Sequence, residues 1–192
     1  MNFKKLLIPF LLFLALCLGA WMVLRSNEGG AAQGVSGAVF DSNEITERKL
    51  GDGYALFRDD QYGIAFEYPQ DMKIERFPEE KGETIVFNGS VAEPSFQIYI
   101  VSTENDPSTN PKLTKERILE DVPGLIIEDP QHVLLANLVY GLLFYSQDET
   151  IGRTREMWFA VNGYLFQVTA KATHDDFLAK IFSSLRIRSL GV

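Results

Sequence analysis

Acid–base, nucleophilic or metal chemistry has a thin supply of side chains here, since the chain holds two histidines, His132 and His174, and one cysteine, Cys17. A catalytic triad needs a nucleophile, a base and an orienting group that meet in space. His174 is followed by Asp175, but adjacent helical residues diverge by about 100° and do not face each other. His174 therefore reads as a polar residue in the first turn of a capped helix. His132 opens an apolar run and reads as a polar residue at a strand edge. The acidic pairs Asp59-Asp60, Glu79-Glu80 and Asp148-Glu149 stand beside turns and read as solvated loop charges, with weak divalent-cation binding as the alternative. Gly34-Val35-Ser36-Gly37 lacks the spacing of a nucleophile elbow. Asp41-Ser42-Asn43 starts like a calcium loop but has Thr46 where that loop needs glycine. No Walker A loop, GxGxxG, HExxH or paired-cysteine spacing occurs in the sequence.

Composition narrows the partners. At 192 residues, 46% hydrophobic and 12% aromatic, the chain can bury one domain core with some length to spare. Twenty-six acidic against 18 basic residues give a net charge of −8, which argues against nucleic acid as a partner. A single cysteine excludes an internal disulfide framework and a cysteine-based zinc cluster.

The surplus length is at the N-terminus. Residues 1–25 read as a transmembrane signal anchor, because Lys4 and Lys5 precede an uncharged run over residues 6–24. As a helix that run spans about 28 Å, close to the hydrocarbon thickness of a bilayer. Leu18 stands where a signal-peptide cleavage site ending at Ala20 wants a small residue. Cys17 lies in Leu14-Ala15-Leu16-Cys17, which departs from a lipobox at Leu16, so it reads as a small apolar residue within the bilayer. Two lysines before the run against Arg25 after it keep the N-terminus in the cytoplasm and send the remainder across. Residues 26–53, rich in glycine, alanine, serine and asparagine, read as a flexible linker. Residues 54–192 are the extracytoplasmic domain.

Within that domain the patterning is that of an α+β fold. Residues 54–58, 62–68, 72–76, 83–88 and 95–102 read as strands separated by polar turns. A helix follows from Thr114, its N-cap, with Leu113 and Ile118 placed as a hydrophobic staple, and it stops at Val122-Pro123-Gly124. Residues 132–136 and 138–146 read as further strands. Asn162-Gly163 between two alternating runs predicts a two-residue type I′ hairpin. That loop length sets Val161 opposite Tyr164, Phe159 opposite Phe166 and Met157 opposite Val168, all on one core face. Trp158 and Leu165 fall on the other face among Glu156, Gln167, Thr169 and Lys171. With Tyr99 they are the candidate partner-binding residues; a helix packed over Trp158 is the competing reading. The last helix, capped by Thr173, carries a stripe of Phe177, Leu178, Ile181, Phe182 and Leu185, and residues 185–189 close the sheet as an edge strand.

The run Tyr62-Gly63-Ile64-Ala65-Phe66-Glu67-Tyr68-Pro69 resembles the opening strand of PsbP-like and Mog-like domains. The Asn-Gly hairpin followed by Phe177, Ile181, Ser184 and Leu185-Arg186-Ile187 resembles their closing pattern. Met72 departs from it, standing where such domains often carry tryptophan. The resemblance implies an α/β/α sandwich around a central antiparallel sheet, used as a non-catalytic module that binds a protein partner. It implies no metal, cofactor or catalytic residue for this chain. The expectation is a membrane-tethered extracytoplasmic interaction module, held by residues 6–24 and acting on an envelope protein. A small-ligand or divalent-cation-binding domain and a hydrolase with a dispersed site are the alternatives.

Overall fold

A computed structural model of the chain describes residues 48–49, 53–80, 82–89, 94–103, 113–136 and 139–188. The expected anchor over residues 6–24, Cys17 and the motifs at 34–37 and 41–46 lie outside them. Among the described residues no helix is long and apolar enough to cross a membrane.

The strands are β1 (Arg48–Lys49), β2 (Tyr54–Asp59), β3 (Ile64–Pro69), β4 (Lys73–Glu79), β5 (Gly82–Asn88) and β6 (Phe96–Ser102). After helix α1 (Lys115–Asp121) come β7 (Glu128–Leu134), β8 (Tyr140–Asp148), β9 (Gly152–Val161) and β10 (Tyr164–Lys171). Helix α2 (Asp175–Ser183) and β11 (Arg186–Ile187) complete the described chain. Every pairing is antiparallel, in a seven-stranded sheet β4-β5-β6-β10-β9-β8-β7 and a four-stranded sheet β1-β2-β3-β11. The α+β class is as expected. β1 pairs with β2 through Arg48 opposite Leu56, so the sheet reaches back into the stretch read as linker.

The small sheet and α2 cover one face of the large sheet, and α1 covers the other. Helices alone were expected as outer layers. The difference is physical: alternation tells which residues of β2 and β3 are buried, but not which sheet they join. Their buried aromatics stack across onto the large sheet instead of extending it, with Phe57 5.2 Å from Phe87 and Phe66 6.0 Å from Phe96. Met72 packs into this same core. An ion network also ties the two sheets. Arg76 of β4 donates to Asp59 of β2 at 2.8 Å and grips Glu83 of β5 with two nitrogens, one at 2.7 Å. Asp59, buried at 5% exposure, also accepts from the Tyr62 amide. It is therefore a structural group and not a solvated loop charge.

The β9–β10 hairpin has the expected register, Val161 with Tyr164, Phe159 with Phe166 and Met157 with Val168. Asn162 and Gly163 both take positive φ, 53° and 78°, as a type I′ turn requires. The Asn162 amide also reaches the carbonyls of Tyr62 and Arg188, pinning the turn to the small sheet. Thr114 caps α1 by accepting from the Arg117 amide at 3.2 Å. The second cap differs from expectation. A 3-10 turn over Ala172–His174 leads into α2, and Thr173 does not cap it. Asp175 instead anchors that helix end, accepting from Arg155 Nε and from the Tyr145 hydroxyl, each at 2.9 Å.

Candidate functional site

The face of the large sheet under α1 holds the residues that the sequence marks for binding. Strand register places Leu142 beside Trp158, Trp158 beside Gln167 and Gln167 beside Tyr99. Leu165 lies one step along, beside Ala160 and Val101. Ile118 from α1 and its C-cap Val122, with Leu113 and Ile127 from the flanks, close over this row. Trp158 and Leu165 are each 7% exposed, and the indole meets Phe144 edge-on at 5.8 Å. Tyr99 is half-buried at the rim, where burial and the nearby Glu79 charge raise its phenol pKa. The structure thus brings the three residues together inside a second core, the outcome that a helix packed over Trp158 implies.

Glu156, read in the sequence only as a polar neighbour of Trp158, is buried on this face. It is 7% exposed and accepts from Thr169 Oγ1 at 2.8 Å and more weakly from Trp158 Nε1 at 3.4 Å. Burial pushes its carboxyl pKa up, against the smaller lowering by the hydroxyls of Thr154 and Thr169 and by the indole. Ser146 and Thr154 are buried beside it. The signal for this cluster was Glu156 and Thr169 as register partners, which alternation alone reads as a solvent face.

The histidines are not assembled into a catalytic group. His132 is exposed on β7, whereas His174 ends the turn before α2 with Nδ1 buried and lacking a hydrogen-bond partner. Desolvation, then the Lys171 charge, lowers the pKa of His174. Of the acidic pairs, Asp148 accepts from the amides of Thr150 and Ile151 in the β8–β9 turn, and Glu79 accepts from Thr84. Asp60 pairs with Arg58 at 2.9 Å and Arg188 at 3.0 Å. Among the described residues no three His, Cys, Asp or Glu side chains are grouped to hold a metal ion.

Part of the outer face lies outside the cluster that α1 covers. Leu134 of β7 and Tyr140 of β8 are direct register partners and stand 57% and 45% exposed. They continue the row of Ala160 and Leu165 out to the sheet edge. The sequence hint was the doublet Leu134-Leu135, which puts apolar side chains on both faces of one strand; only Leu135 packs against the core.

The solution structure of cyanobacterial PsbP (CyanoP) from Synechocystis sp. PCC 6803 is similar to this chain, with a TM-score of 0.53 at 10% identity, covering 80% of this chain and 99% of that one. The fold is PsbP-like. No sequence-family description matches the chain, and no curated protein matches it. Agreement at this identity rests on the arrangement of the sheets and helices, which the opening Tyr62–Pro69 run and the Asn162-Gly163 hairpin serve as packing and turn elements.

Proposed function

We propose that the chain is a membrane-tethered, extracytoplasmic protein-interaction module without catalytic turnover. The PsbP-like fold carries this reading, because the resemblance implies a domain that binds a protein partner. Residues 6–24 serve as the anchor and the net acidic domain stands off anionic headgroups. Anchoring raises the local concentration of the domain at the membrane surface, so a weak interface suffices. The exposed Leu134–Tyr140 rim supplies an apolar contact for a partner, with the buried Trp158 and Leu165 as its support.

Three measurements test the reading. Protease added to intact spheroplasts should remove the domain and leave a short membrane fragment; survival of the domain until lysis would show the opposite orientation. Crosslinking of the full-length protein in membranes should capture an envelope protein. Hydrolysis of an ester, peptide or glycan by the purified chain, lost on His132→Ala or His174→Ala, would refute a non-catalytic module.

A further inference from the structure

We infer that the free side of β7 takes up an extended segment of the protein partner as an added strand, and that this segment alternates apolar with basic residues. The inference rests on the interaction-module reading and names the chemistry of its partner.

β7 ends the large sheet, and no described strand pairs with its outer side. The Leu135 amide donates to the Val139 carbonyl at 2.7 Å, which sets the phase of the antiparallel ladder. Inward bonds then fall at Leu135, Val133 and Gln131, and the N–H and C=O groups of His132 and Leu134 turn to the free side. The same two residues are exposed. Leu134 and its neighbour Tyr140 offer a footing for one apolar side chain of an added strand.

The edge is guarded selectively. Asp129 at φ 47°, Pro130 and a register shift between Glu128 and Gln131 block its first half, as bulges and prolines do on exposed edges. The opposite edge, β4, carries Lys73, Glu75 and Pro78 along its length. Residues 131–134 have no such guard and add an exposed leucine, a combination that invites pairing.

Charge selects the partner. Glu128 and Asp129 are exposed in the same strand, and Glu116 of α1 lies within electrostatic range of His132. Two cations offset part of this, Arg153 at 3.0 Å from Glu128 and Lys115, which acts on Glu116 and donates to the Ile127 carbonyl at 3.2 Å, so three carboxylates stand against two cations. A segment with basic residues is therefore attracted and an acidic one repelled.

The test uses the full-length chain in detergent micelles, with two blocked synthetic peptides as probes, one alternating valine and lysine, the other valine and glutamate. Amide hydrogen exchange is followed residue by residue. The valine–lysine peptide should slow exchange at His132 and Leu134 by about tenfold or more, an effect absent with the valine–glutamate peptide and lost in Leu134→Lys. Because Leu134 is largely exposed, that variant should keep the parent melting curve, and the exchange pattern of the parent chain is decisive even if it does not. Unchanged exchange with the valine–lysine peptide overturns the inference, as does equal protection by both peptides. Protection that rises with protein concentration in the absence of peptide would assign the edge to a second copy instead. Undiminished crosslinking of the envelope partner by Leu134→Lys would refute the β7 inference and leave the module reading standing. Substrate turnover would remove the module reading whatever the amides show.

Discussion

On the inner face of the β9–β10 hairpin, Met157, Phe159, Phe166 and Val168 sit wholly within an apolar core, whereas on the outer face Trp158 and Leu165 share their cover with Glu156 and Thr169. Turn and register are common to both faces, so the contrast comes from what packs on each. The inner face meets an aromatic-rich sheet, with Phe159 and Phe166 stacked at 4.8 Å. The outer face meets the seven residues of α1, too short to cover a seven-stranded sheet, and polar groups are buried beside it. An apolar face fails through lost volume; a mixed face fails through unsatisfied polar groups.

The largest effect should come from the inner face. Phe166 is fully buried, and Phe166→Ala should cost about 3–5 kcal/mol, as large core truncations do. Denaturant melts measure it, and a loss below ~1 kcal/mol would show that this face is not core.

That face was legible in the sequence because its determinants are local. Asn162-Gly163 selects the turn, the turn fixes the register, and alternation names the buried side chains. Thr114, Leu113 and Ile118 marked α1 in the same local way. The two-sheet arrangement was not legible, since stacking Phe57 and Phe66 on Phe87 and Phe96 is a choice between distant strands. β7 was read as residues 132–136 but runs over Glu128–Leu134, because a strand that opens with acidic residues and a proline shows no alternation. Thr169 is a further miss of this kind. On alternation it is a solvent-facing residue whose loss changes nothing, yet it is buried against a carboxyl that only the fold reveals.

Trp158→Ala probes the outer face and should rank second, at about 3 kcal/mol, near the lower end for a large aromatic truncation. The indole is packed on Phe144 under α1, so the loss should appear in the melts themselves. Wild-type stability combined with reduced crosslinking to a partner would instead make Trp158 a contact residue at a surface that α1 vacates. Tyr140→Ala separates the two, since Tyr140 is 45% exposed on the same face, one step along β8 from Leu142, the register partner of Trp158. It should leave the melting curve within ~0.5 kcal/mol of the parent and act only on capture.

Thr169→Ala should fall third. It removes the 2.8 Å hydrogen bond to Glu156 and leaves a buried acceptor short of a donor, for which about 1–2 kcal/mol is the ordinary penalty. Thr169→Ser should restore most of it. Equal loss in both variants would point to the methyl group and its packing rather than the hydroxyl.

The smallest change, and the sharpest on the polar character of this face, is Glu156→Gln. Burial holds the Glu156 carboxyl above its usual range, so the folded chain binds a proton there more tightly than the unfolded one. The contribution of this group to stability is then fully present below the ordinary carboxylate pKa and is lost as pH rises through the higher folded value. A neutral amide keeps the same volume and never ionises. At pH 4, with both side chains uncharged, the variant should lie within ~0.5 kcal/mol of the parent. As pH rises toward 8 the parent should lose stability relative to the variant, because it alone must either ionise a carboxyl that burial disfavours or hold a proton that the unfolded chain has released. Melts of both proteins across that range read the difference directly. A difference that stays flat with pH, or that favours the parent at pH 8, would mean that Glu156 is ionised in the folded state without cost and that this face is wetter than its burial implies.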